Sequence, residues 1–295
     1  MSERIKDLDI YSSSNLARSE AISSDPSEHQ YAFKNRKQGI SVVILNLNKP
    51  ELIVPLIAYL VKQQDIFRQH GLVLEILVGD TGSTNAETLA CLNQLNQIAD
   101  GKAHFNLKYN FSACNNQIAF GHSSCDLILF LNNDIVFTNE TSLLEVYKNA
   151  RNQPDAGVFG ALLFFENGLV QHAGVDFFRR DDLRGLCHHP LSHAERTADS
   201  FPKLINAPAT TGAFLAIRAD LFLAVGGFDE NYVAECQDIA LCLAAIRHGF
   251  RCITLNLGNT IHLENATRPK NEENWSDRQR FLRKWGSYIE AKFLS

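Results

Sequence analysis

The chain has 295 residues, of which 45% are hydrophobic, and its formal net charge at pH 7 is -5. A chain of this size buries a sizeable core, either as one large α/β domain or as two smaller ones. The mildly acidic balance gives no basic footprint, which argues against nucleic acid as the main partner. No apolar run reaches the roughly 18 residues that span a bilayer, and the scattered cysteines form no CxxC pair. We therefore expect a cytoplasmic protein with free thiols.

The first part of the chain alternates strand and helix patterns after a polar start. Residues 1–38 are rich in serine, charge and amides without a sustained hydrophobic period, which predicts a flexible N-terminal extension. Apolar runs typical of buried strands follow at 40–47, 72–79, 104–109 and 126–131. Helical patterns begin near Pro50, with Asn48 as the expected cap, and cover 85–99, 112–123 and 140–152. Four such alternations predict right-handed crossovers and a mostly parallel sheet.

The second part of the chain, from about residue 156, has a different pattern. Two short apolar runs flank Asn167-Gly168, which indicates a hairpin, and a polar histidine-rich stretch follows. A strand at 212–217, a helix at 236–248, the strand "FRCITL" and a tail helix complete the chain. No repeat or linker separates the parts, so we predict a single domain over 39–295, with an α/β half (39–155) and an α+β half (156–295).

Polar side chains end two of the predicted buried strands. Asp80 follows "ILVG", and Asn132, Asn133 and Asp134 follow "LFL". In an open parallel sheet, ligands bind outside the carboxyl ends of the strands. Amide and carboxylate oxygens suit the hard divalent cations that hold a diphosphate in place. Taken alone, each aspartate also fits a helix cap or a turn residue.

Five segments in order resemble the family 2 inverting glycosyltransferases of GT-A fold, particularly the rhamnosyltransferase-like bacterial branch that builds surface polysaccharides. They are "ISVVILNLNKPELI", "ILVGDTGST", "LILFLNNDIVF", "TGAFLAIRADLFLAVGGFDENY" and "ECQDIALCLAAIRHGF". The resemblance implies an α/β fold with helices on both faces of a mostly parallel sheet, a donor half over 39–155 and an acceptor half over 156–295. It implies an enzyme that moves a sugar, with inversion, from a nucleotide-diphosphate sugar to a saccharide or lipid-linked saccharide acceptor.

The resemblance also implies roles for single residues. Asp134 falls on the metal and diphosphate motif and would bind Mn or Mg, and His262 lies where some relatives carry an extra metal ligand. A histidine tucked against the core is the other interpretation of His262. Asp80 would contact the base of the donor. The full set of implied donor-binding residues is Asn46, Asn48, Asp80, Asn132, Asn133, Thr211 and Gly212.

The expected catalytic base falls in a segment that departs from the family pattern. Relatives carry "EDVDLCLR", whereas this chain has Gln237 for the Glu, Ala240 for the second Asp, and Ala244 or Ala245 for the Arg. Asp238 alone keeps the position of the base, at a helix start where the dipole favours a charged carboxylate. Glu235 is the second candidate. An ordinary acidic residue at a helix N-terminus is the alternative interpretation of Asp238.

These departures leave other functions open. The main alternative is a degenerate, non-catalytic relative that binds a nucleotide sugar or serves as an assembly subunit. The presence of Asp80, Asp134 and Asp238 argues against it. A nucleotidyltransferase would show a glycine-rich loop after the first strand, and "LNLNKPEL" has no glycine. A dehydrogenase is disfavoured because no GxGxxG follows that strand.

The remaining histidines and the tail receive weaker interpretations. His172 falls within the predicted hairpin and is expected to be structural. The histidines at 188, 189 and 193 lack the spacing of a zinc site, and their long polar loop is a natural acceptor lid. The tail helix is basic and aromatic, which suits peripheral docking on an anionic membrane, although packing of Trp285 onto the core is the more common outcome.

Overall fold

The computed structural model describes residues 36–264 and 274–295. Most of the expected N-terminal extension lies outside the described residues, and the first strand begins at Lys37.

The described residues form twelve strands and seven α-helices. The strands are β1 (Lys37–Asn46), β2 (Val73–Asp80), β3 (Gly101–His104), β4 (Cys125–Leu131), β5 (Ile135–Val136), β6 (Ala156–Phe164), β7 (Val170–His172), β8 (Asp176–Phe177), β9 (Cys187–His188), β10 (Leu204–Asn206), β11 (Phe214–Arg218) and β12 (Arg251–His262). The helices are α1 (Pro50–Gln69), α2 (Ala86–Leu95), α3 (Phe111–His122), α4 (Ser142–Asn152), α5 (Ala219–Ala224), α6 (Gln237–Arg247) and α7 (Trp275–Ile289).

Ten of these strands form one sheet. Its order is β10-β12-β6-β11-β4-β1-β2-β3, with β5 added to β12 and β7 added to β6. Strands β4, β1, β2 and β3 are all parallel, which confirms the wound arrangement expected of the first half. Antiparallel β11 joins that part to the mixed second half, where β6 and β12 are parallel to each other.

Helices cover both faces of the sheet, which explains why its central strands are apolar throughout. Val42 and Val43 are both fully buried in β1, and because strand side chains alternate, they enter different cores. Val42 packs in the core beneath α1, α2 and α4, and Val43 in the core beneath α3, α5, α6 and α7. A strand buried on both faces therefore needs an uninterrupted apolar run, and β4 is buried along its whole length.

Most predicted elements are confirmed to within a few residues, but two strands differ. The strand predicted at 104–109 lies instead at Gly101–His104, because Asn106 adopts a left-handed conformation (φ 59) that ends the extended backbone. The strand "FRCITL" continues to His262 through an irregularity around Gly258. This extension pairs β12 with β5.

Three local predictions have clear outcomes. The hairpin at Asn167-Gly168 is confirmed, with Gly168 at φ 82 and β6 paired to β7. The prediction that Asn48 caps α1 is wrong. Lys49 takes that position, in a left-handed conformation and without a side-chain hydrogen bond to the helix. Trp285 is 3% exposed and packs onto the core. None of the described helices has the length and apolarity to cross a membrane.

Candidate active site at the strand tips

The carboxyl ends of β1 and β2 are joined by a hydrogen-bonded loop. Asn46 and Asp80 are opposite each other in the parallel register. Asp80 is 1% exposed and accepts hydrogen bonds from the Gly82 N–H (3.2 Å), the Ser83 N–H (2.9 Å) and the Ser83 hydroxyl. In the structure Asp80 is thus a turn residue that folds the loop over the strand tip. Its contact with the donor base stays a prediction.

Asn48 holds the same loop from the other side. Its side-chain oxygen accepts from the N–H groups of Thr84 (2.8 Å) and Asn85 (2.9 Å), and its own N–H donates to Ser83 Oγ (2.6 Å). The left-handed conformation of Asn48 (φ 54) turns the chain toward this loop. The residue therefore shapes the rim of the expected donor pocket rather than the start of α1.

Two buried asparagines connect the tips of β1 and β4. Asn133 Nδ2 donates to Asn46 Oδ1 (2.8 Å), and Asn46 Nδ2 donates to the Asn48 carbonyl (3.1 Å). Because each amide has one oxygen and one NH2 group, this bond fixes which way both side chains point. The side-chain oxygen of Asn133 accepts no hydrogen bond from the described residues, so it is available to a ligand.

Asp134 and His262 meet because β5 pairs with the end of β12, where Ile135 is opposite His262. Asp134 is 5% exposed, and its Oδ1 lies 3.2 Å from His262 Nε2. That oxygen has no hydrogen-bond partner among the described residues. The His262 Nδ1–H donates to the side-chain oxygen Oε1 of Gln171 (2.7 Å), which orients the ring so that Nε2 faces Asp134.

A buried carboxylate oxygen without a hydrogen-bond partner is unfavourable unless a positive charge lies beside it. Asn132 Nδ2 lies 3.3 Å from the same Nε2, which supplies only a weak donor. One carboxylate oxygen and one imidazole nitrogen are suitable ligands for a divalent cation, so these residues fit the expected metal. Within 36–264 and 274–295 no group of three or more His, Cys, Asp or Glu side chains could by itself hold a metal ion.

Asp238 lies at the first turn of α6 and is half-buried. Its Oδ2 accepts from the Gly212 N–H (2.7 Å) and its Oδ1 from the Ile239 N–H (2.9 Å). A Cβ at Gly212 would lie 3.4 Å from that Oδ2, so the glycine permits the close approach. The next residue, Ala213, accepts from the Asn132 N–H (2.9 Å). The loop before β11 therefore joins Asp238 to the tip of β4, with Thr211 and Gly212 between them.

Glu235 is engaged elsewhere. Its Oε2 lies 2.7 Å from Arg278 Nε, and its Oε1 accepts from the Asn274 N–H (3.2 Å). Both partners belong to the start of α7, so the carboxylate is held against that helix. This geometry favours Asp238 over Glu235 as the base.

Sequence reasoning missed Asp277, which organises the loop before Asp238. Its Oδ2 accepts from the N–H groups of Val233 (3.0 Å), Ala234 (2.7 Å) and Glu235 (3.0 Å), and the residue is 1% exposed. The signal was present in the sequence: Asn274 caps α7, and Asp277 stands three residues later, the spacing of a capping box.

His172 is structural, as expected, and has a second partner that the sequence did not indicate. The ring is buried, with Nε2 3.0 Å from Thr210 Oγ1 and Nδ1 2.9 Å from His189 Nδ1. The expected acceptor loop therefore reaches the sheet through a pair of histidines.

Parallel strands with polar tips, and a carboxylate at a helix start joined to them through Gly212, are the arrangement expected of the GT-A class of glycosyltransferases. Residues 41–225 match the family described as Glycosyl transferase family 2, and the chain belongs to that family. The resemblance and the fold class expected from the sequence are thus confirmed.

A curated relative and two solved structures extend this assignment. O-antigen biosynthesis protein RfbC of Myxococcus xanthus is 30% identical over 256 residues, which are 82% of this chain but only 19% of that longer protein. The structure of S. aureus TarS 1-349 in complex with UDP-GlcNAc has a TM-score of 0.61 at 15% identity and is matched over 88% of this chain and 68% of its own. Mannosyltransferase PcManGT from Pyrobaculum calidifontis, in complex with GDP-Man and Mn2+, has a TM-score of 0.52 at 15% identity over 83% of this chain and 66% of its own. At these identities the two structures show the fold alone.

Proposed function

We propose that this chain transfers a sugar from a nucleotide-diphosphate sugar to an acceptor hydroxyl, with inversion at the sugar carbon, in the assembly of a surface polysaccharide or glycolipid. The observation that carries the proposal is the unpartnered Asp134 oxygen opposite His262, linked through the β4 tip and Gly212 to Asp238. The family and the similarity to an O-antigen biosynthesis protein support the reaction class and the product class.

The site divides into a donor side and an acceptor side. On the donor side, Asp134 and His262 would hold a divalent cation, Mn or Mg, with the Asn133 oxygen beside it. Such a cation, when bound, neutralises charge that develops on the departing diphosphate. Asn46, Asn48 and Asp80 shape the pocket that would receive the nucleoside.

On the acceptor side, Asp238 is the base. The acceptor oxygen attacks the sugar carbon while the bond from that carbon to the diphosphate oxygen breaks, and the hydroxyl proton passes to the Asp238 carboxylate. Because Gly212 and Ile239 occupy only one position on each Asp238 oxygen, lone pairs remain for that proton. A single displacement of this kind inverts the configuration of the sugar carbon.

The metal is supported by the neighbouring PcManGT, whose structure contains Mn2+ with GDP-Man, and the donor class by TarS with UDP-GlcNAc. The donors of these two neighbours differ in their nucleobase, uracil in one and guanine in the other, so the nucleobase that this chain selects is determined by experiment. A thermal-shift screen of uridine, guanosine and thymidine diphosphate sugars, each with Mn2+, Mg2+ or EDTA, would identify it, since a ligand of the native state raises the melting temperature.

The proposal is tested with two variants and one control. Asp134→Asn should lose the metal-dependent thermal shift, because it removes a charged ligand. Asp238→Asn should keep that shift and lose transfer by about 100-fold or more, the usual contribution of a general base. Asp65→Asn, at a side chain 62% exposed on α1, is the control and should behave as wild type.

The non-catalytic alternative predicts a different result. Gln237 and Ala240 replace acidic residues of the family pattern, which favours a binder or an assembly subunit. In that case the wild type would bind the donor but show neither transfer nor donor hydrolysis. Full transfer by Asp238→Asn with normal donor binding would instead refute Asp238 as the base.

A further inference from the structure

The chain of hydrogen bonds from Thr210 to His189 fixes the position of one proton. Thr210 is fully buried, and its hydroxyl has no hydrogen-bond partner other than His172 Nε2 in the described chain. A buried hydroxyl hydrogen without an acceptor is costly, so the hydroxyl donates to Nε2. His172 is neutral, because burial lowers its pKa well below the usual range and His189 and His262 lower it further. Its single ring proton is therefore on Nδ1.

This proton determines the tautomer of His189. His172 Nδ1–H donates to His189 Nδ1 over 2.9 Å, so His189 Nδ1 is an acceptor. The proton of neutral His189 is then on Nε2. That nitrogen makes no hydrogen bond with any residue in the described part of the chain.

His189 is connected to Asp238 through the loop before β11. His189 bonds His172, His172 bonds Thr210, and the N–H of Gly212, two residues after Thr210, donates to Asp238. His189 itself is exposed, although partial burial lowers the pKa of its ring. The Asp238 carboxylate is close enough to oppose that decrease, although no direct hydrogen bond joins the two residues. A ligand that reaches Asp238 therefore comes near an exposed ring whose Nε2–H has no hydrogen-bond partner in the described chain.

We propose that His189 is an acceptor-binding residue, whose Nε2–H donates to a saccharide oxygen next to the hydroxyl that Asp238 deprotonates. A donor near a carboxylate matches two neighbouring oxygens of one sugar ring, so the acceptor of this proposal is a saccharide with an oxygen substituent next to the attacking hydroxyl. Thr210 and His172 act through His189 as positioning residues. This inference rests on the proposed function of Asp238.

The test uses His189→Ala and His189→Gln, with His188→Ala as the control. His188 is next in sequence, but its ring stacks on Phe178 with centroids 4.1 Å apart. The acceptor probes are p-nitrophenyl glycosides of four common hexoses and their monodeoxy analogues, with the donor that the thermal-shift screen selects.

His189→Ala should raise the KM for the glycoside by about three- to tenfold, the contribution of one hydrogen bond. The KM for the donor and hydrolysis of the donor without acceptor should not change, and His189→Gln, which restores an N–H donor, should recover part of the loss. The deoxy analogue that lacks the neighbouring oxygen should bind the wild type less tightly than the parent glycoside does. The His189→Ala variant should bind the two glycosides equally.

An unchanged glycoside KM in His189→Ala would overturn the inference while leaving the proposed function intact. Donor hydrolysis by the wild type without transfer to any glycoside would also overturn it, since it requires a saccharide acceptor. Nitrogen-15 NMR gives an independent result, because a His189 ring protonated on Nδ1 instead of Nε2 contradicts the proton assignment. Failure of the proposed function looks different: the wild type would then process no nucleotide sugar at all.

Discussion

Replacing Asp277 by alanine should destabilise the protein and slow transfer, although the residue touches no expected substrate. Its Oδ2 accepts from three successive N–H groups over 233–235, at 2.7 to 3.0 Å. The segment leads directly into Cys236, which is left-handed (φ 70), and then into Asp238. The carboxylate is thus the anchor that keeps a strained turn in place ahead of the expected base.

The magnitude follows from the three bonds and from their exposure. A hydrogen bond to a charged group contributes about 1.5–3 kcal/mol when buried. Water replaces part of that loss here, because Val233 is 64% exposed. We therefore expect Asp277→Ala to lower the free energy of unfolding by about 3 kcal/mol, near the lower end for a broken buried polar contact. Asp277→Asn keeps the shape and one acceptor oxygen and should lose about 1 kcal/mol.

Urea unfolding at pH 7 measures both values, with the exposed Asp65→Asn as the control that should stay within about 0.5 kcal/mol of wild type. Transfer should fall in the same order, Asp277→Ala below Asp277→Asn, while the metal-dependent thermal shift with donor persists. A loss below about 0.5 kcal/mol for Asp277→Ala would refute the role given to the three N–H bonds.

Two further predictions concern a close approach and a buried histidine. Gly212→Ala places a Cβ 3.3 Å from Asp238 Cβ. It should lower kcat by about tenfold with the donor KM unchanged, because a small displacement of the base is enough to slow the reaction. An unchanged kcat would show that the position of Asp238 does not limit transfer. Burial lowers the pKa of His104 to about 4, with His122 and Lys102 adding to the decrease. The unfolded histidine takes up its proton near pH 6.5 and the folded one only near pH 4, so the free energy of unfolding should decrease as the pH falls through that window. His104→Gln should make this decrease shallower in urea unfolding at pH 7 and pH 5, and an identical decrease in both proteins would contradict the assignment.

The strand tips were predictable because burial on both faces leaves a plain signal. The apolar run of β4 ends at Leu131, and the three polar residues after it mark the end of the strand. The same logic failed for β3, since a single left-handed residue, Asn106, ended a run that looked extended. Backbone conformation at one asparagine is not encoded in hydrophobic pattern.

Partners that come together through tertiary structure were beyond the pattern. The pairing of Asp134 with His262 depends on an extension of β12 past Gly258, where the apolar run is interrupted. His189 meets His172 because the short β8–β9 hairpin folds back onto the sheet, and neither residue has a spacing that indicates the other. Only the resemblance gave His262 a role, and the sequence placed His189 in an expected acceptor loop without distinguishing it from the other histidines there.

The departures from the family pattern in α6 are consistent with an active base. The pattern places an acidic residue at position 240 and an arginine at position 244 or 245, and at a spacing of four residues two side chains share one face of a helix. This chain has alanine at both positions, so the two charges of that face are absent together and neither is left buried without a partner. Ala240 instead packs in the core beneath α6. Among the described residues the Asp238 carboxylate accepts hydrogen bonds from Gly212 and Ile239, and neither bond involves the missing pair.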